Sequence, residues 1–149
     1  MPILQDVSYN EFYPRGVEPW EPNITALLDR DTVKWRLLME PGTPLPTPWD
    51  KELYDRHLAE HNRLVQAVLR QNKSHGQMDS LRTVISEWTR HFMRGQRYSG
   101  KVGAFEGCGY VSSGFYRPFM ECLMFSASTM EFDPVCKNAI IRVMDFHTR

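Results

Sequence analysis

Eight of the ten prolines in this chain fall within its first 48 residues: Pro2, Pro14, Pro19, Pro22, Pro41, Pro44, Pro46 and Pro48. Each removes an amide donor and pushes its predecessor toward extended geometry, so no long helix fits there. One strand is predicted over residues 33–39, Val-Lys-Trp-Arg-Leu-Leu-Met. The run Pro41-Gly-Thr-Pro-Leu-Pro-Thr-Pro48 then reads as an extended, polyproline-like segment. Regular helix is therefore confined to the rest of the chain.

Three helices are expected there. The first begins near Thr47, which can cap, with Pro48 in the first helical position and Asp50 in the first turn. Tyr54, Leu58, His61, Val65 and Val68 share one face, and the helix ends near Gln71. The second starts at the cap Asp79, carries the stripe Leu81, Val84, Ile85, Trp88 and Phe92, and stops at Gly95. A short polar link between them, residues 72–76, favours an antiparallel hairpin. The third has Asp133 as cap and Pro134 first, with Val135, Ala139, Ile140, Val143 and Met144 as its buried face. Between the second and third helices lies a glycine-rich part with short extended pieces at 101–105, 110–111 and 114–116. The fold class is thus α+β, mostly helical, with short strands and long loops.

At 149 residues the chain suits one domain, and 42% hydrophobic with 24% charged residues is the composition of a folded protein. Eighteen basic residues balance eighteen acidic ones, so nothing draws the chain generally to nucleic acid. No apolar run approaches the roughly 20 residues that span a bilayer, so no membrane partner is expected. Residues 1–10 contain Gln5 and Asp6 and no basic start with an apolar core, so no cleavable signal is visible. The compartment stays open.

Two constellations suggest chemistry. In His57-Leu-Ala-Glu-His61, two histidines four apart share a helical face and can grip one metal, with Glu60 as a base for metal-bound water. Glu87 and His91 on the next helix would complete that set. The alternative is that His61 half-fills the apolar stripe beside solvated neighbours. Cys108, between Gly107 and Gly109, has the position of either a nucleophile or a small buried thiol in a tight turn. The three cysteines, Cys108, Cys122 and Cys136, are too few for a disulfide framework and lack the close pairs of a structural zinc site; they allow one disulfide with a free thiol, or three reduced thiols.

Seven strings stand in order along the chain: Glu21-Pro-Asn-Ile-Thr25, Lys34-Trp35, Pro41-Gly-Thr-Pro-Leu-Pro-Thr-Pro48, Val102-Gly-Ala-Phe-Glu-Gly-Cys-Gly-Tyr110, Gly114-Phe-Tyr-Arg-Pro118, Glu121-Cys-Leu-Met124 and Phe132-Asp-Pro-Val-Cys-Lys-Asn-Ala-Ile140. Together they resemble the C-terminal portion of the IgA-peptidase-type zinc metallopeptidases, over residues 18–48 and 101–148. The resemblance implies a partial zincin-like catalytic domain, a peptide or protein substrate, and zinc as the family's cofactor. Family members are often secreted. It implies that Glu106, Tyr110, Tyr116 and Arg117 face the cleft and that Met124 packs below the metal position.

Three departures accompany the resemblance. The family's His-Glu-x-x-His helix has no counterpart in the sequence. Residues 49–100 form a helical insertion where the family has a short link. Asp133 and Cys108 replace a family cysteine and alanine. The resemblance therefore implies one incomplete peptidase-like domain, inactive alone, binding no zinc and prone to self-association. The other reading is a non-catalytic interaction module on the 47–95 hairpin, offering Trp88 and Phe92 to a partner.

Overall fold

The structure, a computed structural model, describes residues 13–14, 16–71, 75–109, 111–126 and 128–148. It is a mixed α+β arrangement. A 3-10 turn at Arg36–Leu38 precedes α1 (Lys51–Arg70) and α2 (His75–Arg94). An antiparallel pair follows, β1 (Phe105–Cys108) and β2 (Val111–Arg117), and α3 (Pro134–His147) comes last.

The strand expected over 33–39 is absent; its centre is the 3-10 turn. The reason is Trp35. Its indole is buried, and Nε1 donates to the Gly103 carbonyl at 2.6 Å, which turns the segment inward instead of along a sheet edge. Val33, Trp35, Val102, Ala104 and Val135 form one core cluster, with Leu28, Met39, Leu45, Tyr116 and Phe119 packed on it. Phe105, next to Ala104, points to the opposite side, as extended backbone requires. It joins Met93 and Met120 in a second cluster under Trp49, Tyr54, Phe92 and Tyr98.

Gly103 lies where these layers meet. Its amide donates to Pro118 O at 2.8 Å, and a Cβ there would lie 3.0 Å from both Cβ and Cγ2 of Thr47. Only glycine allows that approach. Thr47 is therefore not the cap of α1. Its amide donates to Ala104 O at 2.8 Å and its hydroxyl accepts from Ala104 N at 2.8 Å. With Thr47 so engaged, the helix starts three to four residues later, after Asp50, which caps through backbone alone.

The helical pair is antiparallel, because Tyr54 meets Phe92 while His57 meets Trp88. Helix α2 begins at His75, ahead of the expected cap Asp79, and ends at Arg94 before Gly95 as predicted. Its buried residues are Thr89 and Met93, whereas Val84 is 60% exposed. The stripe thus covers less core than its periodicity suggests. Helix α3 starts as expected: Asp133 Oδ1 accepts from Val135 N at 2.8 Å and Cys136 N at 2.9 Å, with Pro134 first. Its predicted buried face is corrected. Val135 and Cys136 are buried, but Ile140, Val143 and Met144 are exposed, because only the first turn touches the core. No helix among the described residues is long and apolar enough to cross a membrane.

Candidate functional site

The β1–β2 hairpin, the base of α1 and the turn before α3 enclose an open cavity of about 710 Å³. Its apolar wall includes Leu58, Val111, Leu123, Met124 and Phe125. Its polar groups come from Asn23, Tyr54, Asp55, Cys108, Arg117, Ser126 and Asp133.

Arg117 forms the base of this cavity. The residue is 5% exposed, and its guanidinium stacks between the Trp49 and Phe125 rings, 4.8 Å from each centroid. Nη1 donates to the carbonyls of Gly107 and, at 3.4 Å, Glu106, which holds the irregular register of β1 against β2. Nε is buried without a hydrogen-bond partner. Burial pulls Arg117 down to about 10, still far above neutrality, so the group remains cationic. Tyr54, on the cavity wall, is held above its ordinary value by burial and keeps its hydroxyl proton as a donor.

The other expected cleft residues are spread differently. Glu106 stands on β1, where Oε1 accepts from Gly114 N at 3.3 Å. Tyr116 bridges through its backbone to Thr25 and packs its ring on the Trp35 cluster, away from the cavity. Its hydroxyl is pushed up by burial and then by Glu106. Tyr110 lies outside the described residues. Met124 lines the cavity mouth and is 60% exposed. Of the five, Arg117 and Met124 are brought together at the cavity. Asn23, Trp49 and Asp55 join them without any local sequence signal, since they arrive from distant segments. Tyr54 and Leu58 were readable as one helical face.

The histidine constellation does not assemble. His57 lies flat on Trp88, with centroids 3.6 Å apart. His61 is lowered by burial and then by His57. Among the described residues, the side chains gathered closely enough to hold a metal are Cys122, Asp133 and Cys136, not His57, His61, Glu87 and His91. Trp88 and Phe92 are half-buried and stack with Tyr54 and with each other.

All three cysteines are free thiols. Burial pushes Cys108 up to about 12, against a nearby Arg117 that pulls the other way. A thiol that keeps its proton at neutral pH is a poor nucleophile. Alkylation of native protein at pH 8 is therefore expected to spare Cys108, with peptide mapping by mass spectrometry as the readout. Labelling there should rise steeply only as pH climbs toward 12. The same shift sets a sign for stability. The unfolded thiol ionises at about 8.5, so the buried thiol's contribution is complete below that pH. It is lost as pH rises through about 12. Rapid labelling of native Cys108 at pH 8 would contradict both statements.

A profile of the family described as IgA Peptidase M64 matches residues 5–144, spanning the proline-rich entry, the helical pair and the glycine-rich hairpin. No curated protein matches this chain.

Proposed function

The chain belongs to the IgA peptidase M64 family, and from that premise we propose that it builds the substrate-holding part of a peptidase cleft rather than its hydrolytic centre. The observation that carries this reading is the buried Arg117 cation at the base of an apolar-walled groove. An extended peptide offers such a groove side chains for the Leu58–Met124 wall and carbonyl or carboxylate oxygens for a cation and for the Tyr54 hydroxyl.

Zinc in such enzymes polarises the scissile carbonyl and activates water. The groove's described lining includes no histidine, and the sequence has no His-Glu-x-x-His. A hydrolytic zinc does not fit these residues, and this chain's part is to bind and orient. In the same reading the fold is a partial zincin-like domain with residues 49–100 as an added helical arm. The apolar outer half of α3, with Ile141, Val143, Met144 and Phe146 more than half exposed, supports self-association. The hairpin-module alternative has less support, because Trp88 and Phe92 are engaged within the hairpin.

Fluorescence anisotropy of dye-labelled unblocked peptides tests the proposal. Saturable binding is expected, weakened at least about tenfold by Met124→Arg, which places a charge and bulk at an exposed mouth position without touching the core. Arg117→Gln should weaken it similarly, as loss of a charge-assisted bond does. The chain with added zinc should cleave none of the peptides, and sedimentation velocity should show oligomers. Binding that ignores both substitutions, or zinc-dependent cleavage by this chain, would refute the reading.

A further inference from the structure

Next to the groove, the loop after β2 and the start of α3 bring Cys122, Asp133 and Cys136 together, all three buried. Their ligand atoms lie within 4.8 Å of one another. Around a tetrahedral zinc ion with Zn–S of about 2.3 Å, two sulfurs stand roughly 3.8 Å apart. The cluster therefore needs only a small contraction to close on a cation.

The two thiols and the carboxylate already lie within hydrogen-bonding reach of one another, and two further features suit the cluster to a cation. Asp133 uses Oδ1 to cap α3, yet its Oδ2 is buried with no hydrogen-bond partner, in a residue 3% exposed. An orphaned buried carboxylate oxygen is costly unless something satisfies it. A disulfide between Cys122 and Cys136 would leave Oδ2 as it is, whereas a cation would satisfy it. Both sulfurs already accept N–H donors, Cys122 from Asp133 N at 3.4 Å and Cys136 from Asn23 Nδ2 at 3.5 Å. Such donors orient thiolate ligands in metal centres. Two sulfurs and one carboxylate select a soft or borderline divalent ion over magnesium or calcium.

We propose that Cys122, Asp133 and Cys136 bind one zinc-like divalent cation that ties the 121–132 loop to the start of α3. This is a structural site, separate from the family's hydrolytic metal. Asp133, one of the three, also borders the cavity.

The test is cobalt(II) titration of the full chain, purified anaerobically with a phosphine reductant and stripped with chelator. One equivalent is expected to give a sulfur-to-cobalt charge-transfer band and tetrahedral visible bands, both erased by one equivalent of zinc. Cys136→Ser should remove the charge-transfer intensity. Asp133→Asn keeps a good helix cap and should weaken cobalt binding at least about tenfold. Three titratable thiols with no such band would overturn the proposal. So would a band that survives Cys136→Ser, or a Cys122–Cys136 disulfide that persists in the reductant. The wild-type spectrum decides even if a variant fails to fold, and it is independent of peptide binding.

Discussion

Trp35→Ala is expected to lower the unfolding free energy by about 3–5 kcal/mol, the range for removing a fully buried large aromatic. Trp35 is 3% exposed and sits in the cluster with Val33, Val102, Ala104 and Val135. Its loss opens a cavity there and also strips the Gly103 carbonyl of its 2.6 Å donor. Trp35→Phe fills much of the volume but cannot make the bond. It should therefore recover most of the stability and leave a deficit of about 1–2 kcal/mol. Urea midpoints with unchanged slopes would measure both. A Trp35→Ala loss under about 1 kcal/mol would mean that the indole does not organise this core. Domains of this kind have only about 5–15 kcal/mol in total, so the alanine variant should stand near the edge of folding.

Lys34→Met is the second large effect, with an expected cost of about 2–4 kcal/mol. The Lys34 ammonium donates to the carbonyls of Pro19, Glu21 and Ile24, the last two at 2.7 Å, and pairs with Glu18 Oε1 at 3.0 Å. Glu18 Oε2 in turn accepts from Ala26 N at 2.7 Å and Thr25 Oγ1 at 3.0 Å. Methionine keeps the stem and deletes the charge, leaving three carbonyls and a carboxylate facing one another. The Lys34 side chain is 24% exposed, so water relieves part of the loss. Lys34→Arg should not restore stability, because a planar fork does not fit acceptors that converge on one tetrahedral ammonium. Thermal melts of the three proteins would show it, and full rescue by arginine would argue against the convergence.

Neither residue declares this role locally. Lys34 and Trp35 stand in a run that reads as a strand by its residue types, and the partners that override it lie 10 to 15 and 68 residues away. Thr47 shows the same limit. Thr-Pro-Trp-Asp is a good helix start by local chemistry, but a hydrogen bond to Ala104 takes the threonine first. Where the signal is wholly local it holds, as at Asp133-Pro134, whose cap forms as read. Amphipathic periodicity located all three helices but overstated their burial, since a stripe records which side faces inward and not how far the neighbours extend. At the site, Arg117 and Met124 were reachable through the family resemblance. Asn23, Trp49 and Asp55 were not, because only the folded chain brings their segments to one groove.

The contact between Thr47 and Ala104 also bears on engineering. The polypeptide leaves for the two long helices and returns through a single gateway, its ends pinned within 2.8 Å. Whatever occupies the excursion adds closure entropy that grows only with the logarithm of its length. The outer turns of α1 and α2 can therefore be lengthened, shortened or exchanged for a reporter without retensioning the rest, provided Trp49 and Met93 at the threshold stay in place.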